Sequence, residues 1–196
     1  SLGLGDAANL GWKLAAVIRG DMPEGLLDTY TAERRPVAEA VLANTLAQVA
    51  ILRPDPQSGA MRDLIARLMD FNDVNRYIGE MMTGVSVHYD LGSPCPDVGR
   101  LTDDITLPSL PSLPGGTTLY DAMQDGSGVL LDASAGQAAS RLVASVTPRV
   151  RCVAIDEGPS RLIRPDACVA WLGEGDSIDG LEAALRRWFA GTPQVA

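Results

Sequence analysis

In the first half of the chain, apolar residues recur at helical spacing. Over residues 6–19, Leu10, Leu14, Val17 and Ile18 fall at i, i+4, i+7 and i+8, one face of a helix that Gly20 can stop. A second long pattern runs from residue 26 to residue 52, with Tyr30, Val37, Val41 and Leu42 among its apolar positions. Pro36 sits inside it. Proline removes a backbone donor and crowds the preceding turn, so a kink or a split near Arg35 is expected. Residues 54–59 read as a turn, 61–69 as an amphipathic helix and, after a break at Asp70, 71–82 as another.

The pattern changes after Gly84. Val85 and Val87 alternate with Ser86 and His88, a short strand pattern leading into Tyr89. Pro94, Pro96, Pro108, Pro111 and Pro114 then make 91–116 a connector that cannot be regular helix or central strand. Beyond it, residues 118–123 read as a short helix, 128–132 as a buried strand, 137–145 as a helix and 150–155 as a second strand. Leu162–Ile163 and Cys168–Trp171 flank the turn residues Arg164, Pro165 and Asp166, a hairpin. A last helix carries Ile178, Leu181, Leu185, Trp188 and Phe189. That order is expected of a thioredoxin-like α/β sandwich whose parallel pair is joined by a right-handed crossover. The fold class is α/β, α+β over the whole chain. Residues 1–90 form a helical segment, 91–116 a connector and 117–196 the sandwich.

Composition narrows the function classes. The 196 residues are 46% hydrophobic and 21% charged, an ordinary globular balance for one large domain or two small ones. No apolar run approaches the roughly 20 residues that span a bilayer, and no secretory signal is visible, so the expected compartment is the cytoplasm. A formal charge of −9 argues against nucleic acid. Cys95, Cys152 and Cys168 form no C-x-x-C pair, and with His88 the one histidine no zinc set can be assembled.

The residues from Ser1 to Ala16 resemble a motif of the class A flavoprotein monooxygenases, relatives of p-hydroxybenzoate hydroxylase, and most of all the branch acting on aromatic polyketides and phenols. Gly3, Asp6, Ala7, Asn9, Leu10, Trp12, Lys13 and Leu14 match it, while Ser1 stands where the family usually has Asn. Tyr30, Glu33, Arg34, Arg35, Pro36 and Val37 resemble the family's second helix. Tyr89, Pro94, Gly99 and Arg100 are similar to its connector, and residues 162–171 to the hairpin of its C-terminal thioredoxin-like domain, with Ala167 where the family carries Gly. The dinucleotide fingerprint G-x-G-x-x-G does not occur, so the chain reads as the C-terminal portion of such an enzyme.

The resemblance implies FAD as cofactor, NAD(P)H as reductant, O2, and an aromatic or polyketide substrate. It leaves open which ring is oxidised, hydroxylation against Baeyer–Villiger insertion, and NADPH against NADH. The Gly-rich turn opening the first helix would present backbone N–H groups, and the helix dipole, to the flavin pyrimidine edge. Ser1, Leu2 and Gly3 are therefore the cofactor-edge candidates; no catalytic residue and no metal ligand is expected. Asp6 reads as a first-turn carboxylate, Asn9 and Trp12 as packing or hydrogen bonding to a neighbouring segment, and Arg34 and Arg35 as a salt-bridged helix face with Glu33 and Glu39. Phe71, Tyr77, Met81 and Met82 read as core, with an aromatic pocket the sharper alternative. His88 reads as a strand-surface residue. Asp132-Ala-Ser-Ala-Gly136 stands where an active C-x-x-C would follow the first sandwich strand, so that domain reads as structural. The chain alone is expected to be inactive, completed by a preceding flavin domain or covered by a second copy. A docking or dimerisation module is the other class of function, with Leu2, Leu4, Leu10 and Leu14 exposed or covered by a partner.

Overall fold

The computed structural model describes residues 2–108 and 117–190. Helix α1 spans Leu2–Ile18 and starts four residues before the expected position, so Leu2 to Gly5 are already helical. Ser1, part of the connector and the last six residues lie outside the described residues. A short 3-10 turn, Glu24–Leu27, leads into α2, Asp28–Ile51, which runs unbroken through Pro36. The expected split does not occur. Pro36 and Ala32 are both on the exposed side, where solvent can take the carbonyl that the proline ring leaves without a donor.

Helix α3, Pro56–Leu68, begins inside the expected turn. Asp55 caps it by accepting from the Ser58 amide at 2.8 Å, and Pro56 occupies the first turn, where its missing N–H is not needed. Helix α4, Asn72–Thr83, ends on Gly84 in the left-handed conformation. The strand expected at 85–88 is reduced to a single bridge between His88 and Arg100.

After the connector comes α5, Leu119–Ala122, closed by a capping box between Thr118 and Asp121. Strand β1 is Gly128–Asp132, α6 is Ala138–Val146, β2 is Val150–Ala154, β3 is Ser160–Ile163, β4 is Val169–Gly173 and α7 is Leu181–Trp188. The sheet order is β2-β1-β3-β4, with β1 and β2 parallel and β3 antiparallel to both its neighbours. This is the thioredoxin-like arrangement. All five residues of β1 are buried because both its faces are covered. Val129 and Leu131 pack with Val153, Ile163, Leu119 and Met123, while Leu130 packs with Leu162, Val143, Leu185 and Trp188.

The second of these clusters extends to α1. Trp12 lies edge-on to Trp188 and stacks on Phe189, both with ring centroids 6.4 Å apart, and Ala16, Met22 and Leu26 continue the cluster. The buried residues of α1 are thus Asn9, Trp12, Lys13 and Ala16, not the apolar stripe through Leu14 and Ile18. Leu4, Leu14 and Ile18 are exposed, and Leu2 and Leu10 half-buried. Helix α2 buries only Glu33 and Arg34, and α3 and α4 bury nothing. Phe71, Tyr77, Met81 and Met82 are exposed, so the core reading of them is corrected: this face of α4 and its N-cap packs under no described element. No helix among the described residues is long and apolar enough to cross a membrane.

Candidate functional site

The first turn of α1 is the place where the cofactor-edge candidates fall. Leu2 and Gly3 lie inside the helix, and Ser1 is outside the described residues. Helix geometry leaves the first amides without an intrahelical acceptor, and those of Leu2, Gly3 and Leu4 find none among the described residues. Gly3 is exposed, and a Cβ there would meet nothing within 4 Å. Among the described residues this end of the helix is therefore open, with free N–H donors and the positive end of the helix dipole.

Arg34 fastens that turn from behind. Its Nε donates to Asp6 Oδ1 at 2.8 Å, its Nη2 to the Leu2 carbonyl at 3.2 Å and its Nη1 to Tyr89 Oη at 3.1 Å. Gly5 permits the approach: a Cβ at Gly5 would stand 2.9 Å from Nη2. Burial works against the Arg34 charge, yet its bonds to Asp6 and Tyr89 outweigh burial and raise its pKa. Asp6 is thus an ion-pair partner of Arg34, and the first-turn reading is corrected: with α1 starting at Leu2, its first turn holds no acidic residue. The expected salt-bridged face separates into two halves, because Arg35 and Glu39 form an exposed pair while Glu33 and Arg34 turn inward.

A second charged group fills the space beneath. Arg164 makes a bidentate pair with Glu33, Nη1 to Oε1 at 2.9 Å and Nη2 to Oε2 at 2.8 Å, and also donates to Asp166 from Nε at 3.0 Å and Nη2 at 2.5 Å. Lys13 Nζ donates to Glu33 Oε2 at 2.9 Å and Asn9 Oδ1 at 2.8 Å. Asn9 Nδ2 in turn donates to Glu33 at 2.6 Å and Asp166 at 3.2 Å. Two cations thus face two anions. Lys13, Arg164 and Asn9 have no exposed surface, and the guanidinium of Arg164 sits over Trp188 at 4.4 Å and Trp12 at 5.4 Å. Burial, reinforced by Arg164, lowers the Lys13 pKa to about 8 despite Glu33. Burial would raise that of Glu33, but the Arg164 hydrogen bonds and the two cations bring it down to about 2.

The sequence reading leaves Asn9 to a bond with a neighbouring segment, which is what the structure shows, but does not assemble Lys13, Glu33, Arg164 and Asp166. The available signal is Asn9 and Lys13 one turn apart on the same face as Trp12 and Ala16. Neither group is a catalytic array. His88 Nε2 is engaged with the Val98 carbonyl at 2.8 Å, and burial pushes the Cys168 thiol up to about 12. Among the described residues no group of His, Cys, Asp or Glu could hold a metal ion. A groove of about 790 Å³ runs from Leu2 and Gly5 past Arg34 and Tyr89 to Tyr77 and Met82 on α4.

Residues 92–193 match the family model for the C-terminal part of aromatic-ring hydroxylases, more than half of the chain. The chain belongs to the aromatic-ring hydroxylases. Residues 1–45 match an FAD-binding domain model, so the open turn, Asp6 and Arg34 fall within that match. Over 193 residues the chain is 44% identical to a rifampicin monooxygenase of Streptomyces venezuelae, covering 96% of this chain and 38% of that protein. An anhydrotetracycline monooxygenase of Streptomyces rimosus is 36% identical over 200 residues, covering 96% of this chain and 39% of that protein. Among solved structures, the OxyS anhydrotetracycline hydroxylase of Streptomyces rimosus superposes with a TM-score of 0.86 at 37% identity, over 98% of this chain and 41% of that one. CabE, an aromatic hydroxylase from angucycline biosynthesis, gives 0.84 at 33% identity, over 96% and 40%. The chain thus spans less than half the length of these curated relatives.

Proposed function

We propose that this chain is the C-terminal portion of an FAD-dependent monooxygenase that oxidises an aromatic or polyketide substrate with NAD(P)H and O2 in the cytoplasm. The observation that carries the reading is the open first turn of α1, with unpaired amides at Leu2 and Gly3, inside the segment that matches an FAD-binding domain. Bound FAD would supply the redox chemistry, accepting hydride from NAD(P)H and activating oxygen. The chain's own part is to bind and orient. The Leu2 and Gly3 amides and the positive end of α1 hold the electron-rich pyrimidine edge, and Arg34 keeps the turn in register; Ser1, the third candidate, lies outside the described residues.

Residues 1–90 belong, on this reading, to the flavin-binding body, 91–116 link it, and 117–196 form a structural domain that docks on α1. The chain alone is inactive. A preceding flavin domain covers the apolar faces of α2, α3 and α4, where Leu46, Leu64 and Met82 are exposed. Those same faces favour a second reading, a docking or dimerisation module closed by another copy. Intact mass and absorbance of the natively produced polypeptide separate the two. A mass well above the 20.6 kDa of this chain, with flavin bands, fits the monooxygenase; 20.6 kDa with no flavin band and a dimeric sedimentation profile sinks it.

A further inference from the structure

Behind the open turn, a continuous line of contacts leads back into the sandwich. It starts at β4, where the Val169 carbonyl accepts from the Gly99 amide at 2.8 Å, and the Gly99 carbonyl accepts from the Tyr89 amide at 2.9 Å. The Tyr89 hydroxyl accepts from Arg34, and Arg34 donates to the Leu2 carbonyl and the Asp6 carboxylate. Two glycines make this line possible. Gly99 has φ +98 and a Cβ there would stand 2.0 Å from the Tyr89 carbonyl, while a Cβ at Gly5 would displace the guanidinium. Tyr89 and Arg34 are 3% and 5% exposed, so neither is a loose surface contact, and Arg164 also lies over the Tyr89 ring at 5.7 Å. Without this line α1 would be held at its middle and far end, through Trp12 and Ala16, and its first turn would be free to fray.

We propose that Arg34 and Tyr89 are positioning residues through which the C-terminal sandwich sets the first turn of α1 against the flavin. The proposal rests on the flavin-edge reading above. Neither residue touches the reacting atoms. Arg34 acts through the Leu2 carbonyl and Asp6, and Tyr89 acts by holding one arm of Arg34 while the other two reach the turn. A lysine at position 34 has one ammonium in place of a planar fork, so it can keep the Asp6 pair but not the Leu2 and Tyr89 contacts as well.

The test uses the natively produced polypeptide with its flavin-binding segment, and Tyr89→Phe, Arg34→Lys and Arg34→Met variants. Hydrogen exchange of the Leu2, Gly3 and Leu4 amides in the FAD-bound protein, the FAD dissociation constant and the flavin reduction potential are read for each. Tyr89→Phe should leave the melting temperature close to wild type, speed first-turn exchange and weaken FAD binding about three- to tenfold. Arg34→Met should go further and shift the potential, and Arg34→Lys should fall between. Wild-type exchange, affinity and potential in Tyr89→Phe would overturn the proposal, and that variant carries the test if Arg34→Met does not fold. Faster exchange with FAD affinity and potential unchanged would also overturn it, since the turn would then be held by Arg34 but not face the flavin. If FAD fails to protect the turn amides in the wild type, it is the flavin-edge reading itself that falls.

Discussion

Ala167 has φ +64, a left-handed backbone that an L side chain with a Cβ adopts at a cost of about 1–2 kcal/mol, partly offset by the entropy that a glycine would lose on folding. It is the position where the resemblance places Gly, and its amide closes the turn by donating to the Arg164 carbonyl at 2.9 Å. Ala167→Gly should therefore raise stability by up to about 1 kcal/mol, read as a higher melting temperature. Glu33 sets a pH window at the same scale. Folded Glu33 holds its charge down to about pH 2, whereas the unfolded residue takes up a proton near 4.5. Its contribution is thus fully present above pH 4.5 and lost as pH falls through about 2, on the order of 3 kcal/mol. Urea unfolding between pH 5 and pH 2.5 should show that slope in the wild type and a flatter one in Glu33→Gln. The variant should also be weaker at neutral pH by about 3–5 kcal/mol, because Lys13 and Arg164 lose their shared anion.

At the scale of elements, periodicity locates most helices and all four strands, since each strand carries a short apolar stretch near Gly, Pro or Asp, although the strand expected at 85–88 does not form. It does not say which face of a helix is buried. The apolar stripe of α1 through Leu14 and Ile18 faces out, and the buried side carries Asn9 and Lys13, because the hairpin turn brings Arg164 and Asp166 to meet them. Partners more than 130 residues away along the chain leave no local signal in α1 or α2. The same holds for Pro36, which is tolerated because Ala32 and Pro36 are exposed, a tertiary fact. Among the exposed apolar residues of α2 and the N-terminal end of α4, Leu46→Gln and Phe71→Gln, singly or together, should change the stability of this chain by less than about 0.5 kcal/mol. Sedimentation should show less self-association in the double variant; a loss of several kcal/mol would mean these faces are already packed.

At the scale of the molecule, one apolar cluster joins α1 to the sandwich, and a buried set of charges plus the Arg34 contacts align the open end of α1. The fold of the sandwich was legible in the order of its elements, and the proposed flavin edge rests on the resemblance at the start of the chain, whereas the buried charges beneath the first turn were not legible. The most direct test is hydrogen exchange of the natively produced polypeptide with and without FAD. The account predicts that FAD slows exchange at Leu2, Gly3 and Leu4, the amides without an acceptor among the described residues, more than at the far end of α1 near Val17 and Ile18. Exchange at the first turn that is the same with FAD bound would contradict it.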